Sequence, residues 1–247
     1  MGAVGTLLAR AFDHHQTGGF DEAEALYRHV LESDPASWKA LHRYGLLIAQ
    51  LGRLEEADVL LARSVVLEPA DAEAAVNHAK ILRALRRPDR AAGRFRQALL
   101  LSPALLAAQE GLGHAERERG DIPAAAGAYG RAALLGAGAA LLHQWGIALD
   151  GSGRSGDAVA ALRRSARLDP TVPSVAARLA AILCRLGRHG EAAWWYRRML
   201  ILQPDHADAC IAMKVIAGRA LNHGDGPTPA YPFTAKGGLA SGWCCPE

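Results

Sequence analysis

The chain has 247 residues, and half of them are hydrophobic, yet only 6% are aromatic. That apolar content is mostly Ala and Leu, which favours helix, and no window alternates in the manner of a strand. A net charge of +3 is too small for a general nucleic-acid binder, which carries a basic stripe, and no apolar run approaches the ~18 residues of a membrane span.

The first segment, "MGAVGTLLARAFDHHQ", lacks the long apolar core and cleavage-like site of a secretory signal. It fits the short N-myristoylation pattern through Gly2 and Thr6, a pattern that arises often by chance. His14 and His15 follow; neighbours on a helix point about 100° apart, so they are poorly placed to share one ion. Next comes "GFDEAEALYRHVLESDP", ending at Pro35. Its five carboxylates suggest an acid cluster until the segment is seen again as "GRLEEADVLLARSVVLEP", ending at Pro69, and as "GRHGEAAWWYRRMLILQP", ending at Pro204.

The period is 34: Pro35, Pro69 and Pro103 are 34 apart, as are Pro170 and Pro204. Aligned on the prolines, one column reads Ala23, Ala57, Ala91, Ala125, Ala158 and Ala192. Four residues later stands a large side chain: Tyr27, Leu61, Phe95, Tyr129, Leu162 and Tyr196. Upstream stands a small one: Ala11, Gly45, Ala79, Gly113, Gly146 and Ala180. Between them lies a turn glycine, Gly18, Gly52, Gly120, Gly153 and Gly187, with Arg86 as the exception. Each unit therefore reads helix, turn, helix, turn. The glycine takes positive φ and ends the first helix. Acids such as Asp21 and Glu22 favour the start of the second helix. The alanine and the large residue share one face, and the proline ends the second helix. Gly45 within a helix costs roughly 1 kcal/mol against Ala, so its presence implies close backbone contact.

These columns resemble the tetratricopeptide repeat (TPR), as in Gly45, Gly52, Ala57, Leu61 and Pro69. The resemblance covers six units at about 4–37, 38–71, 72–105, 106–138, 139–172 and 173–206. The family's opening tryptophan is absent, with Leu7, Leu41 and Leu142 in that column. The fourth unit is one residue short, has Ala137 in place of the proline, and joins the fifth through "LLGAGAALL". Arg86-Arg87-Pro88 is expected to change the third inner turn. The resemblance implies an all-α, right-handed α-solenoid over 1–221 in which 207–221 is a C-terminal capping helix, because a repeat stack has an apolar end face. Gly and Pro recur from Asn222 to the end, so 222–247 is expected to be a flexible tail.

Most apolar columns then belong to packing, and function is expected on the first helices, which in the family line a concave groove for a peptide or partner segment. Mapped onto this chain, the groove residues are Lys39, His42 and Arg43; Asn77, Lys80 and Arg83; Glu110, His114 and Arg117; His143 and Gln144; and Arg178 and Arg185. The set is mostly basic or hydrogen-bonding, which suits an acidic segment or a free carboxylate. The expected function is a non-catalytic, cytoplasmic scaffold or adaptor that binds a protein or peptide, with no cofactor, metal or nucleic acid, and with self-association through the end faces left open. The alternative is a repeat region that presents substrate to a glycosyltransferase or sulfotransferase, since the repeats resemble arrays preceding such domains in bacterial proteins. The lysine and asparagine clamp of TPR cochaperones is absent, and so is the asparagine ladder of the O-linked sugar transferases.

Other constellations reduce to structure. "GSGRSG", Gly151–Gly156, lacks the G-K-[ST] ending of a phosphate loop and falls at an inner turn. Trp194-Trp195-Tyr196 is expected to pack in the core, and Glu116, Glu118 and Asp121 to form a charged surface. The four cysteines, Cys184, Cys210, Cys244 and Cys245, make no C-x-x-C pair and no disulfide framework, which suits a reducing compartment. Cys244-Cys245 supply too few ligands for a closed zinc site. Tyr231, Phe233 and Trp243 give the tail aromatic side chains that would suit docking into the groove.

Overall fold

A computed structural model of the protein describes residues 3–223. Gly2 and the tail from Gly224, including Tyr231, Phe233, Trp243, Cys244 and Cys245, lie outside the described residues. The chain is an all-α repeat array of thirteen helices, and no strand occurs among the described residues. It divides into two compact units, with the boundary between Ala137 and Gly138 in the "LLGAGAALL" join.

The first unit holds four helix pairs: α1 (Ala3–Thr17) with α2 (Phe20–Ser33), α3 (Trp38–Gln50) with α4 (Leu54–Leu67), α5 (Ala72–Ala84) with α6 (Pro88–Leu101), and α7 (Leu106–Glu118) with α8 (Ile122–Leu134). The second holds α9 (Ala139–Gly151) with α10 (Ser155–Leu168), α11 (Pro173–Arg185) with α12 (His189–Leu202), and then α13 (Ala207–His223) against α12. α13 runs two residues beyond the expected end at Leu221. Asn222 and His223 tolerate helix, and the first glycine in the sequence comes only at 224.

Each pair is locked by the small, alanine and large columns. All six alanines of the alanine column are fully buried, as are Tyr27, Leu61, Phe95, Tyr129 and Leu162. A methyl group added to Gly45 would meet Leu61 at 2.8 Å, one on Gly113 would meet Tyr129 at 2.5 Å, and one on Gly146 would meet Leu162 at 2.5 Å. The large residue of the second helix thus lies directly on the glycine of the first. Gly111 does the same work between pairs, accepting the ring of Phe95 from α6.

The inner turns are uniform. Gly52 has φ +80°, and the Arg53 amide behind it donates to the Ile48 carbonyl at 3.0 Å, closing α3. Arg86 replaces the glycine in the third pair yet takes the same left-handed conformation, φ +57°, with Arg87 donating to Leu82 at 2.8 Å. The expected change of turn does not occur. Pro88 opens α6, where a missing amide hydrogen costs nothing.

Successive pairs are joined by polar bonds that recur with the repeat. Arg63, Gln97 and Arg198 donate to the carbonyls of Pro35, Pro69 and Pro170 at 3.2, 3.2 and 3.1 Å. Within pairs, Ser64 of α4 and Ser165 of α10 donate to the carbonyls of Trp38 in α3 and Ala139 in α9 at 2.9 and 2.8 Å. Two acids on second helices reach into the next pair. Glu24 accepts from Tyr44 at 3.0 Å and from Arg53 at 2.9 Å. One period later, Asp58 pairs with His78 at 2.7 Å and accepts from Arg87 at 2.6 Å. Glu116, expected on a charged surface, is instead 1% exposed and held by Arg96 and Arg119.

Candidate functional site: the first-helix faces

In the first unit α3 touches both α1 and α5, and α5 touches α7; in the second unit α9 touches α11. No two second helices meet to that extent. The closer approach of the first helices puts them on the inner side of each unit's curvature, where side chains from several repeats can converge on one ligand.

On the inner side of the first unit the candidate residues fall into two groups. One group is already engaged. His42 is buried and lies 3.0 Å from Asn77, whose amide donates to its Nε2; the other ring nitrogen faces Asp71 at 3.8 Å. Burial pushes the His42 imidazole below its ordinary pKa, more strongly than the Asp71 carboxylate raises it. Arg43 lies over the Phe12 ring, its guanidinium carbon 4.1 Å from the centroid. Arg83 donates to both carboxylate oxygens of Glu118, at 3.2 and 2.6 Å, and holds that carboxyl below its usual range against the opposing effect of burial. His114 pairs with the Tyr129 hydroxyl at 2.9 Å and has Glu110 at 3.8 Å. Its imidazole is pushed down by burial first and by the Arg83 charge second.

The other group faces solvent. Lys39, Lys80 and Arg117 are exposed, one on each of α3, α5 and α7, and none takes part in an ion pair among the described residues. The Lys39 ammonium lies 5.3 Å from the Trp38 ring centroid.

In the second unit His143 and Gln144 are half-buried on α9, and Arg178 is exposed on α11. Burial lowers the His143 pKa, and the Arg178 charge lowers it further. Arg178 lines a cleft of about 480 Å³ with Pro173, Ala177, Met199 and His206. Arg185 is tied to Asp150, one of a recurring set of first-helix bonds that also includes His15 with Gln50 and Arg83 with Glu118.

The profile described as Tetratricopeptide repeat matches residues 8–75, 76–140 and 143–207. The chain belongs to the tetratricopeptide repeat family. Its TPR array is similar to the crystal structure of MamA, with 22% identity, a TM-score of 0.63, and coverage of 68% of this chain and 92% of that one. YrrB, described as a TPR protein with an unusual peptide-binding site, matches at 21% identity and a TM-score of 0.60, covering 66% of this chain and 84% of its own. PilF of Pseudomonas aeruginosa matches at 21% identity and a TM-score of 0.58, covering 76% and 86%. At these identities the likeness is one of fold. No curated protein sequence matches the chain.

The TPR fold is a protein-interaction scaffold. Among the described residues, no three His, Cys, Asp or Glu side chains are grouped to hold a metal ion, and no helix is long and apolar enough to cross a membrane.

Sequence reasoning sorted candidates by helix face but could not see which cations are neutralised. The pairs Arg83–Glu118 and Asp150–Arg185 lie 35 residues apart, one more than the period, and a search in phase passes over them. Within Trp194-Trp195-Tyr196, the core expectation holds for Trp195 and Tyr196 and is corrected at Trp194. All three are half-buried; Trp195 and Tyr196 pack beside Met199 and Ala209, while Trp194 lines an open cleft.

Proposed function

We propose that the protein is a non-catalytic scaffold that holds an extended, acidic partner segment, or one ending in a free carboxylate, against the first helices of its repeats. The observation that carries this reading is the set of exposed cations on successive inner helices that make no ion pair among the described residues: Lys39 on α3, Lys80 on α5 and Arg117 on α7, the last beside the Tyr129 hydroxyl. Cations spaced along neighbouring repeats match a chain of carboxylates and set its register. Around them, Asn77 and the half-buried His114 are held on the same side by His42 and Tyr129. In the second unit, Arg178 beside its cleft, with His143 and Gln144 on the adjacent helix, offers the same chemistry. Arg83 serves by fixing α5 to α7 through Glu118, so it positions the face and is a poor choice for a binding test.

The test is affinity capture with quantitative mass spectrometry, wild type beside a Lys80→Glu, Arg117→Glu protein. Loss of one or more captured proteins from the variant supports the reading. Full retention of every captured protein sinks it. A transferase among the proteins lost would assign the scaffold to an enzyme complex.

A further inference from the structure

The second unit carries a different feature on its second helices. A cleft of about 630 Å³ opens between α10 and α12, floored by Ala160 and the Trp194–Trp195 pair. The two indole rings meet edge to face, with centroids 4.6 Å apart and planes at 85°. Four arginines surround them: Arg163, Arg164 and Arg167 from α10 and Arg198 from α12. One carboxylate, Glu191, faces the same space and is bound by Arg163 and Arg188. Arg198 is fixed by its bond to the Pro170 carbonyl at 3.1 Å, with its guanidinium 5.9 Å from the Trp194 centroid. Arg164 and Arg167 are exposed and make no hydrogen bond or ion pair among the described residues.

The repeat accounts for Arg198, whose bond to the Pro170 carbonyl is the one that Arg63 and Gln97 make in earlier pairs, but not for Trp194 or Arg167. In the column of Trp194 the other units have Ala25, Val59, Gly93, Gly127 and Ala160, all exposed. In the column of Arg167, four units have the apolar residues Val66, Leu100, Leu134 and Ile201. The Trp194 indole is not a residue that the repeat requires at this outer position, and Arg164 and Arg167 stand near it without an ion pair. Together they create a surface with an apolar floor and a cationic rim.

We infer that this cleft is a second binding site, on the side away from the first helices, for an acidic peptide segment carrying an apolar side chain. The side chain would lie on Trp194 and its flanking carboxylates would meet Arg164, Arg167 and Arg198. Charge complementarity selects the occupant: four guanidinium groups against one carboxylate favour an anionic chain and exclude a basic one. The cleft combines its arginines with an apolar indole floor and one carboxylate, which suits a peptide with an apolar side chain better than a nucleic-acid backbone, whose binding draws on an extended basic stripe.

Calorimetric titration of the full chain tests the site with three probes: acetyl-Glu-Glu-Phe-Glu-Glu-amide, its Glu-Glu-Ala-Glu-Glu counterpart, and acetyl-Lys-Lys-Phe-Lys-Lys-amide. The acidic phenylalanine peptide is expected to bind, to weaken with added salt, and to bind more tightly than the alanine peptide; the basic peptide is expected not to bind. An Arg164→Ala, Arg167→Ala protein is expected to lose about fivefold or more in affinity. Trp194→Ala, checked for helicity by circular dichroism, is expected to erase the preference for phenylalanine over alanine. Lys80→Glu, Arg117→Glu is expected to leave this binding unchanged, which separates the site from the first-helix face. Absence of binding, unchanged affinity in the double-arginine variant, or tighter binding of a fifteen-residue oligothymidylate than of the acidic peptide would overturn the inference.

Discussion

In the first unit the arginines beside buried or half-buried acids are held by them: Arg53 by Glu24, Arg87 by Asp58, and Arg96 and Arg119 by Glu116. In the second, Arg163 and Arg188 share Glu191, while Arg164 and Arg167 face solvent beside Trp194. The column that holds Glu24 and Asp58 becomes Ala92, Ala126, Val159 and Ala193 in later repeats. The same joint between repeats therefore forms with or without a charge at that position. An arginine bound to a buried acid or, like Arg63 and Arg198, to a loop carbonyl is part of the joint; Arg164 and Arg167, bound to neither, mark a surface free to meet something else.

The largest effect is expected where both units use the same packing. Ala57→Leu in the first unit and Ala158→Leu in the second should each cost about 1–3 kcal/mol by overpacking a helix pair, read as a lower Tm. Normal stability in both would remove the column assignments on which the comparison stands. Next, Glu116→Gln should cost about 1–3 kcal/mol, since at a buried position it removes the charge and turns one of the two acceptor oxygens into a donor facing an arginine. Arg164→Ala with Arg167→Ala should stay within about 0.5 kcal/mol. Equal losses in denaturant unfolding would erase the distinction between paired and unpaired arginines.

Acid should separate the units further. His42, His78 and His114 in the first unit, and His143 in the second, have pKa values pushed below the ordinary one, in each case chiefly by burial. For such groups the unfolded chain binds protons first. Stability present above about pH 6.5 is therefore lost as pH falls from there toward the folded values. Hydrogen exchange compared at pH 7 and pH 5, corrected for intrinsic rates, should show more loss of protection in the first unit. Equal loss in both would contradict this. A gain rather than a loss is expected at Arg86→Gly, which relieves a left-handed residue at some cost in chain entropy and should raise stability by about 0.5–1 kcal/mol.

The sequence revealed the helix pairs because packing repeats in phase. Ala23 through Ala192 announce their role by recurring every 33 or 34 residues, and Gly45 implied the close contact that Leu61 makes. Arg86 misled because identity was read where backbone conformation mattered; the turn requires positive φ, and arginine adopts it there. Glu116 misled because charge suggested surface, while Arg96 and Arg119 compensate its burial from residues 20 and 3 positions away. The candidate groove was legible as a set of helix faces. Its charge state was not, because neutralisation of Arg83 depends on Glu118 from the next first helix.

The central claim is that the inner helix faces bind a partner while the alanine and glycine columns carry the fold. It is tested most directly by measuring, on one preparation of the Lys80→Glu, Arg117→Glu protein, both its Tm and its Kd for a partner captured by the wild type. An unchanged Tm with affinity about tenfold weaker or more is the predicted result. An unchanged Kd would contradict the claim.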